Sequence, residues 1–315
     1  MSDPFRHLRP RQIQLVSEIR RHGQLQIAAE ACGLTQPAAS RSLGEIESLL
    51  GEKLFTRGPK GMEPTPAGLL VARHARRMIN DLDQLSAQFT ELRAGRGGTV
   101  RIGAVTGPAL GQIVPAIREL KAASPLVEVS VDVAPSATLV PALERGDLDF
   151  ALARLPPWMD DRAFHIEPAR DESVRLLVRD GHPMLGAGPL GVRDLHHLPW
   201  ILQNVGTPIR QAVDRAFHDA GLSSPPNVVT TSSLLAVVAL LRDFDAIAPM
   251  AQEVIDLLLD APVSAGFRQL PIDRAITVEP YMILTLRDRE LPRASEKLLA
   301  IVRRSIRALG PSDPP

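Results

Sequence analysis

Ala28-Ala29-Glu30-Ala31-Cys32-Gly33-Leu34-Thr35-Gln36-Pro37-Ala38-Ala39-Ser40-Arg41 is the stretch on which the fold turns. A short helix from about Leu25 to Cys32 offers Ile27, Ala28, Ala29 and Cys32 for burial, and Gly33-Leu34 makes a tight turn. Thr35 can cap the next helix, and Pro37 suits its first turn, where a missing N–H costs nothing. Ala39, Leu43, Ile46 and Leu50 then recur on one helical face before Gly51 closes it. Upstream, Ile13, Leu15, Val16 and Ile19 predict a first helix that ends near Gly23. Two helices joined by a turn of three or four residues make helix-turn-helix geometry, which presents the second helix's N-terminal end to the DNA major groove. Here that end carries Gln36, whose amide suits adenine, Ser40, which can read donor or acceptor edges, and Arg41, placed for phosphate. An α-hairpin with merely solvated polar residues would carry the same pattern.

Gly58, Pro59 and Gly61 predict a turn between two short extended pieces, a β-wing with Arg57 and Lys60 at its tip, in reach of a sugar-phosphate backbone. Charge agrees. Met1 to Met78 holds 12 Arg and Lys against 7 Asp and Glu, whereas the whole chain balances at 36 and 36. A basic first quarter on an acidic remainder suggests that only the first part meets a polyanion.

Ala28-Ala29, Thr35-Gln36-Pro37-Ala38, Ser40-Arg41, Glu47, Leu50-Gly51, Leu54-Phe55, Arg57 and Thr65-Pro66-Ala67-Gly68 together resemble the LysR-type transcriptional regulators. The resemblance implies an N-terminal all-α winged helix-turn-helix over 1–65, a linker helix over 66–95, and an α/β effector domain over 96–315. That domain would comprise two Rossmann-like lobes of the periplasmic-binding-protein type, lobe I from 98–170 and 275–315 and lobe II from 171–274. By match to the motif, Gln36, Pro37, Ser40, Arg41 and Arg57 are the DNA-contacting candidates, and Thr35 at the helix cap and Lys60 at the wing tip join them by position. Gln24 departs from a customary capping serine, and Ala39 from a larger apolar residue. The implied partners are double-stranded promoter DNA, a small-molecule effector, RNA polymerase, and the chain itself as homodimer and homotetramer.

Val71, Ala75, Met78, Leu82, Leu85, Phe89 and Leu92 alternate spacings of four and three, a heptad seam that asks for a partner helix. Pro66 opens this helix, and Gly95, Gly97 and Gly98 end it. An amphipathic helix packed on its own domain is the alternative; the narrow stripe favours an intermolecular pair.

Beyond residue 98, strand and helix patterns alternate: Thr99–Val105, Leu110–Ala123, Val127–Val133, Thr138–Arg145, Leu148–Ala153, then a second unit from Arg175–Arg179 through Trp200–Gln203, Pro208–Ala220, Val228–Thr230, Ser233–Arg242 and Ala246–Ala248. This predicts parallel sheets covered by helices. Met282–Leu286 and Pro292–Leu309 should return to the first unit, with crossings near Pro168–Ser173 and Pro271–Glu279. Ligands bind beyond the carboxyl ends of such strands. Those ends supply Thr106, Gly107, Ser136, Arg154, Gly206, Thr207, Arg210, Ser232, Ser233 and Pro249 as effector-site candidates. Singly, the hydroxyls read as helix caps. Arg154 is the charge placed to face a carboxylate, and its replacement by alanine should abolish response to an acidic inducer while leaving DNA binding intact. Ile102-Gly103-Ala104-Val105, Ala153-Arg154-Leu155-Pro156, Gly206-Thr207-Pro208-Ile209-Arg210 and Thr231-Ser232-Ser233-Leu234-Leu235 resemble a LysR subgroup that regulates sugar-binding-protein and aromatic-acid catabolism genes, which implies a sugar or an organic or aromatic acid as effector.

With 44% hydrophobic and 23% charged residues the chain is globular. A single cysteine, Cys32, excludes an intramolecular disulfide, and a buried structural thiol is expected. No secretory leader or membrane-length apolar run is read, so a soluble cytoplasmic protein with no membrane partner is expected. A phosphate loop and a nucleophile elbow are both missing, and His165 with Glu167 and His196-His197 lack metal spacing. Nothing calls for a cofactor or metal. A solute-binding protein, or an enzyme-derived domain with a DNA-binding head, is the alternative.

Overall fold

The computed structural model describes residues 4–59, 61–94, 97–260, 263 and 266–308. They form two compact units. One runs to the end of the linker helix and includes Glu144–Asp147; the other is the rest.

The first unit contains α1 (Pro10–His22), α2 (Leu25–Ala31), α3 (Gln36–Leu50), β1 (Phe55–Gly58), β2 (Gly61–Pro64) and α4 (Pro66–Ala94). Leu15, Val16 and Ile19 meet Leu25, Ala28, Ala29 and Cys32, and Ala39, Leu43 and Ile46 complete a closed core with Leu54 and Phe55. Ile27 does not join it and is 39% exposed. In so short a helix the inward stripe is Leu25, Ala28, Ala29 and Cys32, and Ile27 lies off that face. Cys32 is buried, and burial, reinforced by the Glu18 charge, pushes its thiol up, away from the reactive thiolate.

The second unit opens with β3 (Thr99–Ala104) and a helical run in three pieces: α5 (Thr106–Pro108), a π-turn over Ala109–Ile113, and α6 (Val114–Ala123). There follow β4 (Glu128–Val133), α7 (Ser136–Glu144), β5 (Phe150–Ala153), β6 (Phe164–Arg179), α8 (Val192–Leu195), β7 (Trp200–Leu202), α9 (Pro208–Asp219), β8 (Val228–Thr230), α10 (Leu234–Asp243), β9 (Ala248–Ala251), α11 (Gln252–Leu259), β10 (Phe267–Leu270), β11 (Ile276–Leu286) and α12 (Arg293–Ala308).

In lobe I, β3 pairs in parallel with β4 and β5, and β11 runs antiparallel to β5. The π-turn, α6 and α12 cover one face through Ile113, Leu120, Leu298 and Val302. α7 covers the other with Leu139, Val140 and Leu143 against Phe164 and Leu284. Buried Asp149 accepts hydrogen bonds from Ser295 Oγ at 2.7 Å and the Arg101 N–H at 2.9 Å, tying α12 to this lobe. In lobe II, Trp200 sits edge-on to Phe217 at 5.3 Å, and its indole N–H reaches the Leu195 carbonyl.

The expectation of purely parallel sheets is corrected here. β6 and β11 are long antiparallel partners, from Ile276↔Val174 to Leu286↔Phe164, and β9 and β10 also pair antiparallel to β6. The crossing expected near Pro168–Ser173 is therefore no loop: β6 passes straight through it. The strand expected at Ala246–Ala248 lies at Ala248–Ala251, which places Pro249 inside β9, buried opposite Leu176. The short elements α11 and β10 were not expected. Among the described residues no helix is long and apolar enough to cross a membrane.

Candidate nucleic-acid interface and ligand cleft

The turn between α2 and α3 is built from backbone bonds: Leu34 N–H to Ala29 O at 2.8 Å and Gly33 N–H to Glu30 O at 3.0 Å. Thr35 caps α3, its Oγ1 accepting from the Ala38 N–H at 3.4 Å. With Ala39, Leu43 and Ile46 turned into the core, Gln36, Pro37, Ser40 and Arg41 are exposed on the opposite face. Arg41, Gly44, Glu45, Ser48 and Leu49 line a shallow hollow along that face. Gly44 and Ser48, one and two turns beyond Ser40, extend the polar stripe further than the sequence pattern indicated. Arg57 is exposed on β1, while Lys60 lies outside the described residues.

The wing is held by a residue for which no role was foreseen. Buried Glu47, near the end of α3, accepts the N–H groups of Leu54 at 2.9 Å and Phe55 at 3.3 Å, and pairs with Lys53 Nζ at 2.6 Å. Burial alone would raise its carboxyl; these bonds hold it below the ordinary glutamate range. Replacing Glu47 by alanine strands two backbone donors, and the head should lose about 1–3 kcal/mol. Because the folded carboxyl titrates below the unfolded one, its stabilisation is present above the unfolded pKa and lost as pH falls through the folded value. Thermal melts of wild type and Glu47→Ala should differ at neutral pH and converge in acid; equal separation throughout would refute this role.

Thr65-Pro66-Ala67-Gly68 joins wing to linker. Thr65 Oγ1 donates to Lys53 O at 2.6 Å and accepts the Gly68 N–H at 3.0 Å, and the Thr65 N–H bonds Leu54 O at 2.9 Å. Gly68 packs on that same carbonyl, where a Cβ would come within 1.9 Å of the oxygen. At position 68 the junction admits no side chain.

Along α4, Ala75 is buried and Val71 half-buried within the chain itself, so the first two seam positions are already covered in part. Val71 packs against the head core. Met78, Leu82, Leu85 and Phe89 are each at least half exposed. The side chain of Leu92 lies outside the described set.

In the second unit, β4, β3 and β5 are parallel neighbours, so their carboxyl ends bring Ser136, Thr106-Gly107 and Arg154 to one edge. β7 and β8 do the same for Gly206-Thr207 and Ser232-Ser233. Most hydroxyls there serve the backbone. Ser136 Oγ accepts the Arg154 N–H at 3.0 Å, Thr207 Oγ1 donates to Asn204 O at 2.8 Å, and Ser233 Oγ caps α10 through the Ala236 N–H. Thr106, Gly206 and Ser232 are exposed. Pro249, inside β9, is not at a strand end. The two arginines are already engaged: Arg154 donates to Glu279 O at 2.7 Å and Glu172 Oε2 at 2.6 Å, and Arg210 to Asp214 at 2.9 Å. Arg154, expected to face a carboxylate effector, is paired here with buried Glu172. Glu172 lies 18 residues downstream with no pattern linking the two. Glu167, considered with His165, pairs with Arg303, and His196 bonds Ser223 O. Among the described residues no three His, Cys, Asp or Glu side chains cluster as metal ligands. Of the recurrent glycines, Gly103 lies under Leu139 and Leu148, whereas Gly107 and Gly111 lie against Glu253, and Gly107 also against Glu172.

Comparison with known proteins agrees with this geometry. Residues 10–69 match the family described as bacterial regulatory helix-turn-helix protein, lysR family, and residues 93–307 match the LysR substrate binding domain. The HTH-type transcriptional regulator GbpR of Azospirillum brasilense is 34% identical over 297 residues, covering 94% of this chain and 86% of that protein. Full-length OxyR from Pseudomonas aeruginosa shares the fold at a TM-score of 0.66 and 20% identity, over 96% of this chain and 97% of that one. Full-length CbnR complexed with its target DNA does so at 0.62 and 20%, over 95% of this chain and all of that one.

Proposed function

The chain belongs to the LysR family of DNA-binding transcriptional regulators, and from that premise we propose that α3 reads the DNA major groove through Gln36 and Ser40 while Arg41 and Arg57 hold phosphates. The observation that carries this reading is the exposed, Thr35-capped end of α3 above a core closed by Ala39, Leu43 and Ile46. Thr35 and Pro37 shape the end that approaches DNA, and Lys60 extends the wing's basic tip. Two copies pair through Met78, Leu82, Leu85 and Phe89, so that twin heads meet two half-sites about one helical turn, or a multiple of it, apart. An effector held among Thr106, Gly107, Ser136, Gly206, Thr207 and Ser232 changes the arrangement of the heads by binding one arrangement more tightly than the other. The protein works where the chromosome is, in the cytoplasm.

Fluorescence anisotropy of the full-length protein on duplex DNA from beside its own gene tests the assignment. Gln36→Ala should cost about 1–3 kcal/mol at the cognate sequence and relax base preference there. Arg41→Ala should weaken binding evenly across sequences and reduce the slope of log K against log salt by about 1. Unaltered base preference in the first variant and an unaltered slope in the second would refute these contacts.

A further inference from the structure

Glycine inside a helix costs stability relative to alanine. A chain keeps it where the backbone turns left-handed, or where a neighbour lies too close for a Cβ. Among the described glycines, Gly44 alone meets neither condition. The others have a positive φ, as at Gly23 and Gly51, or a neighbour no more than 3.4 Å from the position of a Cβ, as at Gly68 and Gly103. Gly44 lies in the interior of α3 (Gln36–Leu50) in ordinary helical conformation. Among the described residues, nothing beyond the adjoining backbone of its own helix comes within 4 Å of where its Cβ would stand. The free chain gains nothing from this glycine. Whatever needs the backbone bare at this point lies outside the chain.

Gly44 is exposed one turn beyond Ser40 and one turn before Ser48, on the side of α3 turned away from Ala39, Leu43 and Ile46. Arg41, Glu45, Ser48 and Leu49 line the shallow hollow around it, and of these only Leu49 is apolar. A second copy of the chain is better served by α4, where Met78, Leu82, Leu85 and Phe89 are exposed. We propose that Gly44 is the point at which α3 comes closest to the DNA duplex, and that its missing side chain sets how deeply Gln36 and Ser40 reach the base edges. This rests on the reading of α3 as the helix that enters the groove. A methyl group at position 44 would hold α3 away from the duplex. Hydrogen bonds to base edges weaken once donor and acceptor leave a range of about 2.7–3.2 Å, so base reading suffers first. Attraction between arginine and phosphate falls only as the inverse of distance, so it persists. The chain accepts a less stable recognition helix in exchange for depth.

Full-length wild type, Gly44→Ala and Gly44→Leu are compared by thermal melting and by fluorescence anisotropy, on duplex from beside the protein's own gene and on a scrambled duplex of equal length. Gly44→Ala should raise the melting temperature of the head by about 2–8 °C, since the helix improves and nothing is displaced. The same variant should bind the cognate duplex about tenfold more weakly or worse, as expected when a base contact is lost, and the scrambled duplex as wild type does. Opposite signs in stability and in cognate affinity are the signature. Gly44→Leu should lose more cognate affinity again, although leucine ranks just below alanine as a helix former. Unchanged cognate binding by Gly44→Ala overturns the proposal. If Gln36→Ala still alters base preference in that assay, the groove reading of α3 stands without it; if that variant is silent too, both fall. Equal losses for alanine and leucine would assign the glycine to helix flexibility, and equal losses on both duplexes would remove the role of depth; either result overturns the proposal. A lowered melting temperature in Gly44→Ala does the same, because the glycine would then serve the free fold.

Discussion

Placing glutamate at both Leu82 and Leu85 should halve the mass measured by sedimentation and abolish tight operator binding. Both side chains are more than half exposed on α4, so the folded head gains no buried charge and its own melting transition should stay in place. What changes is the helix-helix seam, where two charges per chain would have to be buried without partners. Losing the pairing makes the two half-site contacts independent, and affinity gained by linking two sites is typically 10²–10⁴-fold. An unaltered mass, with operator affinity intact, would remove α4 as the pairing element.

Gly68→Ala should unfold or loosen the head by about 3 kcal/mol or more, the upper end for an overpacked site. The added methyl would stand 1.9 Å from Leu54 O and 2.8 Å from its carbonyl carbon, both backbone atoms that cannot swing aside. Relief requires the start of α4 to leave the wing. That would break the Thr65 bonds to Lys53 and Leu54. A melt of the variant that superposes on wild type would show that the junction can yield. Ala67→Ser, at the neighbouring half-buried position, serves as the control with little expected change.

The head was legible because its chemistry is local. Apolar stripes at helical spacing, a capping threonine and two wing glycines each act within a turn or two of chain, so α3 and the β1–β2 hairpin follow from their own residues. Ile27 was misjudged because a seven-residue helix has too few turns for its inward face to be unambiguous. The second unit was legible as alternating strands and helices, but β6 was not legible as one strand. Pro168, Arg170, Asp171 and Glu172 interrupt its apolar pattern, although Glu172 is buried and paired with Arg154. Arg154 was found through its position at a strand end. Its engagement was not, because the partners come from β6 and β11, long after it in the chain. Pro249 was placed at a strand end by an apolar run whose strand begins two residues later and ends three residues later in the structure.

The shared use of β6 and β11 has a mechanical corollary. Both lobes are threaded on the same two ribbons, so the cheapest large motion open to them is torsion along that pair, like two plates on a twin-wire suspension. Compliance should concentrate where rungs are missing, between Val278 and Tyr281, beside a proline that offers no N–H. Amide hydrogen exchange should therefore be fast at the middle of these strands and slow at both ends, the reverse of ordinary fraying, and an occupant at that midpoint would stiffen the suspension.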